Sequence, residues 1–307
     1  ENGIKDCSDG SDECPANSKK ETVFSSPFEM IGNPVFRGIL WMMGGISLLG
    51  NTAVCIISIM QVRTAKSEPL KVAFLWLVAN LSVSDLLMGV YLLSVSAMGS
   101  RFSGSYCYHD AEWRSSQTCS ILGSLAVVST EVSALIMAAM ATIRLVSVYF
   151  PVRMSSIKRV TYAAPIVCAW CVGILIGTLP LANYKSGYFV ESACVCMPRL
   201  FAKVGDAAWG YSTFIIVFNF CLFVYMACCY LFLYQRSRKV TKVGKSKSRR
   251  LLRTVAAMIF TNFCCWIPIC IMAFITLAGV KLDNIVYVVC AGVLHPLNSV
   301  LNPLIYS

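Results

Sequence analysis

Charge is scarce in this chain. Only 13% of its 307 residues are Asp, Glu, Lys or Arg, whereas 57% are hydrophobic. A soluble domain of this length could bury a large core, but it would still need a charged surface, and too few charged residues remain to cover one. The composition therefore excludes an ordinary soluble protein and indicates a chain whose main solvent is lipid.

The chain also lacks the period-two alternation of polar and apolar residues that a membrane β-barrel needs. It contains seven apolar runs instead, each long enough to cross about 30 Å of hydrocarbon as a helix of roughly 20 residues, which satisfies its own backbone hydrogen bonds. The sequence thus predicts an all-α membrane protein, a seven-transmembrane helix bundle. The predicted spans lie near 36–62, 70–98, 117–150, 160–181, 208–235, 251–278 and 283–306.

Histidine is rare as well, and neither copy has a nucleophile and base arrangement around it. We therefore expect no catalytic residues and no enzyme. Internal duplication and paired broken helices, which are typical of transporters, are not visible either. A transporter or channel is accordingly the weaker alternative.

Basic residues mark the orientation, because Lys and Arg near span ends favour the cytoplasmic side. They gather in the first, third and fifth connections, most densely in residues 236–250. This pattern predicts an N-terminus outside and a C-terminus inside. Most of the net charge of +11 follows from this topology, so we expect lipid contacts and no nucleic-acid partner.

Cysteine usage agrees with that orientation. Many of the 16 cysteines lie within the predicted spans, where a free thiol usually packs as a small apolar group. All the others fall on the predicted outer side, where disulfides persist. These outer cysteines are Cys7, Cys14, Cys107, Cys119, Cys194 and Cys196.

Residues 1–35 are polar and acidic, unlike residues 36–307, and form a separate piece. The stretch DCSDGSDEC, Asp6 to Cys14, resembles the closing half of a low-density-lipoprotein-receptor class A module, which holds Ca²⁺ through oxygen ligands. The resemblance implies an incomplete calcium site with ligands Asp6, Asp12 and Glu13. A disordered acidic linker is the alternative. Because the chain begins with Glu1 and shows no signal peptide, we expect a fragment of a longer receptor-like protein.

Polar side chains inside the spans are expensive in lipid and are therefore candidates for function. Asp85 lies near the middle of the second span, and Glu131 and Arg144 lie in the third. The first and last spans add Asn51, His295, Asn298, Ser299 and Asn302. Hydrogen bonding that only fixes helix packing is the alternative, with at least equal weight for Asn298 and Ser299. Asp85 points more strongly to function, because a lone buried carboxylate needs a cation, a proton or a donor network.

Short motifs, one per span and in order, resemble those of rhodopsin-like (class A) G-protein-coupled receptors. They are GN at Gly50 and Asn51, NLSVSD ending at Asp85, Cys119 and Arg144 at the two ends of the third span, Trp170 in the fourth, CWIP at Cys265 to Pro268, and NPLIY at Asn302 to Tyr306. The finer resemblance is to the leucine-rich-repeat hormone receptors and to their relaxin-receptor-type branch. It is carried by STEVS at Ser129 to Ser133, CMP at Cys196 to Pro198 and LNSVLNPLIY at Leu297 to Tyr306.

This resemblance implies roles for several residues. It implies a disulfide between Cys119 and Cys196, and the shared outer location of Cys107 and Cys194 suggests a second bridge. It implies a cluster that binds an allosteric Na⁺, formed by Asp85, Ser133, Asn298, Ser299 and Asn302. It also implies a coupling and activation switch, whose members are Arg144, Tyr230, Trp266, Pro268, Asn302, Pro303 and Tyr306.

The function implied is that of a multi-pass plasma-membrane receptor that passes an extracellular peptide or protein hormone signal to heterotrimeric G proteins by outward movement of span six. We expect most hormone binding in an ectodomain outside this chain. A small-molecule ligand within the bundle is the alternative. A retinal photoreceptor is nearly excluded, because the last span contains no lysine for a Schiff base.

One departure from the family pattern concerns the arginine itself. In the family the arginine of the third span follows an acid that holds it in the resting state, but Arg144 stands between Ile143 and Leu145. The predicted inner end of span six, at KSKSRR from Lys245 to Arg250, offers no acid either. The sequence therefore predicts a resting state that is less firmly held and signals without ligand.

Overall fold

In the part of the chain that it describes, the computed structural model consists of helices and connecting segments and contains no strand. That part comprises residues 14, 25–65, 68–186, 194–197, 205, 208–239, 257, 260–261, 263–272, 274–276, 280 and 289–306. Asp6, Asp12, Glu13 and Lys245 to Arg250 lie outside it. The predictions made for these residues remain predictions.

The described helices are numbered in chain order. They are α1 (Pro34–Thr64), α2 (Pro69–Arg101), α3 (Tyr106–Ser115), α4 (Gln117–Tyr149), α5 (Pro151–Ser155), α6 (Arg159–Thr178) with a 3₁₀ extension (Leu179–Ser186), α7 (Trp209–Lys239), α8 (Phe263–Thr276), and a π-helical turn (Cys290–Leu294) that leads into α9 (His295–Tyr306).

Five of these helices are long and apolar enough to cross a membrane: α1, α2, α4, α6 with the start of its extension, and α7. The sequence predicts spans near 36–62, 70–98, 117–150, 160–181 and 208–235 at these places. In the described residues, α8 and α9 cover parts of the sixth and seventh predicted spans.

Local signals in the sequence set where the long helices begin. Asn33 caps α1, because its side-chain oxygen accepts hydrogen bonds from the backbone N–H groups of Val35 (2.9 Å) and Phe36 (3.2 Å). Pro34, which lacks an N–H, occupies the first helical position. Ser116 caps α4 in the same way through the N–H of Cys119.

The bundle is arranged around α4, which packs against α2, α6 and α7, while α1 packs against α2 and α9. The core of this arrangement includes Ile136, Met137 and Met140 of α4, all essentially inaccessible to solvent. Trp170 of α6 donates its indole N–H to the side chain of Asn80 of α2 at 3.1 Å. The helices that carry the polar candidates are thus those in closest mutual contact.

Glycines allow α6 to approach α4 closely. A Cβ atom on Gly173 would lie 2.4 Å from Cγ2 of Val132, and one on Gly177 would lie 2.5 Å from Cγ2 of Val128. Both distances are shorter than any van der Waals contact. The spacing of the two glycines in GILIG, Gly173 to Gly177, therefore serves packing inside the bundle.

This packing predicts that Gly173→Val destabilises the fold, because the new side chain would overlap Val132 and push two buried helices apart. Overpacking of this kind costs about 1–3 kcal/mol. We expect a lower midpoint of thermal unfolding for the purified protein. Gly45→Val is the matched control, since nothing lies within 4 Å of its Cβ position, and an equal loss in both variants would contradict the packing argument.

Among the described residues, two disulfides connect segments at the predicted outer side. The structure contains the Cys119–Cys196 bridge that the resemblance implies. The prediction of a Cys107–Cys194 bridge is wrong: Cys107 is bonded to Cys14, with a Cα–Cα distance of 5.5 Å, and Cys194 is a free thiol. Cys14 thus has its disulfide partner within this chain.

Candidate functional site

The centre of the bundle holds a hydrogen-bond network around the carboxylate of Asp85 on α2. Its Oδ1 accepts from the hydroxyls of Ser133 (3.0 Å) on α4 and Ser299 (3.1 Å) on α9, and its Oδ2 accepts from the amide of Asn302 (2.6 Å) on α9. All four side chains are buried. The structure thus brings one carboxylate from α2 together with donors from two other helices.

Residues of α1 extend this network. Asn51 donates to the backbone carbonyls of Ser47 (2.8 Å) and Ser299 (2.9 Å), and the hydroxyl of Ser47 donates to the backbone carbonyl of Asp85 (2.9 Å). A Cβ on Gly50 would lie 2.9 Å from Cβ of Pro303. The GN motif therefore provides close approach at Gly50 and a helix-to-helix hydrogen bond at Asn51.

The polar network also contains acceptor atoms without donors. Oδ1 of Asn51, Asn298 and Asn302 is buried, and no described residue donates a hydrogen bond to any of the three. Buried oxygens usually have a hydrogen-bond partner or ligate an ion. Asn302 also contacts the Asp85 carboxylate through its amide, so at least one spare oxygen belongs to a side chain at the carboxylate, and oxygen donors suit a small hard cation.

Trp266 of α8 is buried between aromatic neighbours. Its ring centroid lies 5.7 Å from that of Phe223 on α7 and 5.5 Å from that of His295 on α9. Pro268 follows within α8, where a proline removes one backbone hydrogen bond and favours a kink. The indole of Trp266 therefore contacts α7 and α9 close to the position where Pro268 weakens the backbone hydrogen bonding of α8.

The ring of His295 on α9 contacts Thr130 of α4. Its Nε2 lies 3.2 Å from the hydroxyl of Thr130, which also donates to the carbonyl of Ala126 at 2.9 Å. Nδ1 of His295 has no hydrogen-bond partner among the described residues.

A second carboxylate lies on the turn of α4 next to Thr130. Oε1 of Glu131 accepts from the amide of Asn219 on α7 at 2.7 Å, while the same amide donates to the carbonyl of Ile215 at 3.0 Å. Oε2 of Glu131 and Oδ1 of Asn219 are buried without partners in the described residues. Span three thus carries an acid that no described base neutralises.

Arg144 lies at the predicted inner end of α4 and is buried, with 7% of its surface exposed. Its guanidinium carbon is 3.7 Å from the ring centroid of Phe74 on α2. Its Nε and Nη2 have no hydrogen-bond partner in the described part of the chain, and none of the described ion pairs includes it. The guanidinium of Arg144 therefore contacts an aromatic ring of α2 and none of the described carboxylates.

Tyr230 of α7 belongs to the same region, but its hydroxyl forms no hydrogen bond with a described residue. The switch residue Asn302 instead donates to Asp85, and Pro303 lies against Gly50. The side chain of Tyr306 lies outside the described part. The roles that the resemblance implies for Tyr230 and Tyr306 in the switch stay predictions.

Segment 25–33 lies over the predicted outer end of the bundle. Glu29 links this segment to α1 through Arg37 (2.7 Å) and to the end of α2 through Ser103 (2.7 Å). Met30 and Ile31 are fully buried in a cluster with the disulfide-bonded residue Cys196. The segment is therefore packed on the bundle and is not a free linker.

The thiol of Cys194 completes this outer cluster. It donates to the carbonyl of Met30 at 3.0 Å, and the carbonyl of Cys194 accepts from the indole of Trp113 at 2.8 Å. Burial raises the pKa of the Cys194 thiol to about 12, so it stays protonated at neutral pH.

Sequence reasoning missed Phe74, Asn219 and Met30. Phe74 and Asn219 are ordinary span residues whose importance comes from a partner on another helix. A buried Arg144 and a buried Glu131 each required a partner, but nothing local in the sequence identified it.

Residues 50–306 match the family described as 7 transmembrane receptor (rhodopsin family). The chain belongs to this family. The motif resemblance to class A receptors is thereby confirmed, and the buried network between α2, α4 and α9 is part of a receptor bundle.

The receptor is similar to several curated proteins over nearly its whole length. It is 31% identical to the G-protein coupled receptor GRL101 of Lymnaea stagnalis over 94% of the chain and 26% of that relative. It is 29% identical to relaxin receptor 1 of Mus musculus (92% of the chain, 38% of the relative) and 27% identical to the lutropin-choriogonadotropic hormone receptor of Gallus gallus (91% and 37%).

These relatives confirm the finer resemblance to hormone receptors of the relaxin type. The receptor chain spans well under half the length of each of them. Its family and several apolar helices identify it as a multi-pass membrane protein.

Proposed function

We propose that this chain is the membrane domain of a plasma-membrane receptor that passes an extracellular hormone signal to heterotrimeric G proteins. The N-terminus would lie outside and the C-terminus inside, as the basic residues predict. All seven predicted spans would form the bundle, and outward movement of span six would open a cavity at the inner end.

The observation that carries this proposal is the placement of Arg144. The guanidinium of Arg144 is buried at the end of α4, and its Nε and Nη2 lack hydrogen-bond acceptors among the described residues. It would gain acceptors if a helix of a partner protein entered an opened cavity. Trp266 supports the proposal, because it lies near Pro268 and contacts α7 and α9. A rotation of span six would therefore change these contacts.

A peptide or protein hormone is the proposed ligand, by analogy with the hormone receptors among the relatives. Most of its binding would occur in parts of the protein beyond this chain. Segment 25–33 supports this view, because it already contacts the predicted outer ends of α1 and α2 and is linked to them by Glu29. Movement of an ectodomain would therefore reach the bundle through a packed connection.

The function is tested by reconstituting the purified chain in lipid vesicles with heterotrimeric G proteins. We expect accelerated guanine-nucleotide exchange and no ion or solute flux. Flux without exchange would overturn the receptor proposal in favour of a transporter or channel.

We further propose that the Asp85 network binds Na⁺. The carboxylate, the hydroxyls of Ser133 and Ser299, and the free side-chain oxygens of Asn298 and Asn302 fit a small hard cation. Bound there, the cation would neutralise Asp85 and link α2, α4 and α9. It would stabilise the arrangement described here.

Replacement of NaCl by choline chloride at equal ionic strength is expected to lower the unfolding midpoint of the wild-type protein, because ligand binding stabilises the folded state. Asp85→Asn should abolish this sodium dependence. Glu68→Gln, which neutralises a carboxylate that is 56% exposed, is the control and should retain it. A sodium effect that persists in Asp85→Asn would place the ion elsewhere.

A small ligand within the bundle is the second candidate, and the polar atoms near Glu131 favour it. Oε2 of Glu131, Oδ1 of Asn219 and Nδ1 of His295 all lack donors among the described residues. A ligand with an ammonium group would satisfy such acceptors. If such amines raised nucleotide exchange in the wild-type chain but not in Glu131→Gln, the second candidate would be preferred.

For residues 1–35 the calcium proposal stands on the motif alone. Asp6, Asp12 and Glu13 would contribute carboxylate ligands as part of a complete module. The bond between Cys14 and Cys107 would then connect that module covalently to α3.

A further inference from the structure

An apolar groove of about 320 Å³ runs along the predicted inner ends of α4 and α7. Its walls are Leu145, Val146, Tyr149, Phe150 and Phe232. Its size is at the lower end of ligand pockets, which span about 300–1,000 Å³. The switch and the sodium cluster do not use this groove.

A positive charge lies beyond the apolar walls. Phe232 and Arg236 are four residues apart on α7 and therefore share one face of the helix. The guanidinium carbon of Arg236 lies 5.6 Å from the ring centroid of Tyr149, which is itself a wall of the groove. Arg236 is exposed, and it forms no ion pair with any described carboxylate.

We propose that this groove binds one anionic phospholipid of the cytoplasmic leaflet. One acyl chain would lie between α4 and α7, and the phosphate would contact Arg236. The arrangement along α7 matches such a lipid. The apolar wall residue Phe232 is followed by the cation of Arg236 about 6 Å further along the helix, roughly one turn away.

Charge and surroundings favour a lipid over other occupants. The groove opens on faces of α4 and α7 that no other described helix covers, and Tyr149 and Phe232 are exposed there. In a membrane these faces meet hydrocarbon, and the cytoplasmic leaflet is rich in anionic lipids that attract basic residues near the surface. The exposed Arg236 is a suitable partner for a phosphate because a guanidinium binds it with paired hydrogen bonds.

A lipid bound in the groove would affect the receptor through residues next to the switch. Leu145 follows Arg144 directly, and Phe232 lies two residues after Tyr230. A lipid held between these walls would favour the spacing of α4 and α7 seen here.

The test uses the full chain in nanodiscs that contain phosphatidylcholine, phosphatidylglycerol and a trace of phosphatidylglycerol with a photoreactive group on one acyl chain. We expect labelling to map to residues 145–150 and to Phe232. Unlabelled phosphatidylglycerol should compete about fivefold better than phosphatidylcholine, the factor expected for one basic contact. Glycerol phosphate, which has no acyl chain, should not compete.

Two matched pairs of variants separate a specific site from general attraction. Arg236→Gln should remove the preference for phosphatidylglycerol, whereas Arg63→Gln, an exposed arginine in the last turn of α1, should keep it. Phe232→Ala should reduce labelling of the groove, whereas Phe214→Ala, at a comparably exposed position of α7, should not.

Equal competition by the two lipids, or labelling spread evenly over the exposed apolar faces, would overturn the proposal. So would an equal loss of preference in Arg236→Gln and Arg63→Gln, because the attraction would then come from basic charge in general. Better competition by phosphatidylcholine than by phosphatidylglycerol would likewise overturn it.

Discussion

Phe74→Leu should raise ligand-independent guanine-nucleotide exchange between roughly tenfold and thirtyfold. The guanidinium of Arg144 lies 3.7 Å above the Phe74 ring, and no described acid shares it. A desolvated contact between a cation and an aromatic face contributes about 2 kcal/mol, and each 1.4 kcal/mol changes an equilibrium about tenfold. Leucine retains an apolar side chain at the site but removes the aromatic face.

The measurement is nucleotide exchange on added G protein at equal surface expression, without ligand. Phe218→Leu is the control, because it also removes an aromatic ring packed on the core, from α7, without touching Arg144. Equal rises in both variants would mean that general loosening of the core, rather than release of Arg144, causes the activity.

Ile143→Glu should have the opposite effect and lower basal exchange about tenfold or more. Nε and Nη2 of Arg144 are buried and lack acceptors among the described residues, and a carboxylate on the preceding residue would supply one. Net hydrogen bonds that involve a charged group contribute about 1.5–3 kcal/mol. The new acid would therefore hold the arginine more firmly than the Phe74 ring alone.

Ile143→Gln separates charge from shape, since it adds a polar side chain of similar length without the negative charge. We expect a much smaller decrease in exchange from glutamine than from glutamate. Unchanged basal exchange in Ile143→Glu, at equal surface expression, would count against the idea that a missing acid leaves the resting state loosely held.

The two variants also show what the sequence could reveal about this site. The absence of an acid beside Arg144 is visible in the sequence, because it concerns adjacent residues. The ring of Phe74 is not visible as a partner, since it reaches Arg144 from another helix and many aromatic residues of the spans could have done so. Contacts between distant segments depend on how helices rotate and cross, which hydropathy does not specify.

The same distinction applies to the fold. The runs at 36–62 and 117–150 could be located from the sequence, and α1 and α4 lie at these places, because membrane thickness dictates the length of an apolar helix. The pairing of Cys14 with Cys107 could not be predicted, because cysteines that share one side of a membrane allow many connectivities. Their pairing depends on segment 25–33 lying over the bundle, where Glu29 joins it to α1 and α2.

The Asp85 network could be predicted in part from the sequence. Burial of a carboxylate in a span indicates that partners must exist, and the family motifs named the correct helices. The direct donors are Ser133, Ser299 and Asn302, whereas Oδ1 of Asn298 remains without a donor among the described residues. Which members of a motif touch the carboxylate depends on helix rotation and had to come from the structure.

The central claim is that Arg144 couples this bundle to G proteins. Its most direct test is guanine-nucleotide exchange on heterotrimeric G proteins by the wild-type chain and by Arg144→Ala, at equal surface expression. Arg101→Ala, exposed in the last turn of α2 at the predicted outer end, serves as the control. We predict that exchange falls to the receptor-free rate in Arg144→Ala and persists in Arg101→Ala. Wild-type exchange in Arg144→Ala would contradict the claim.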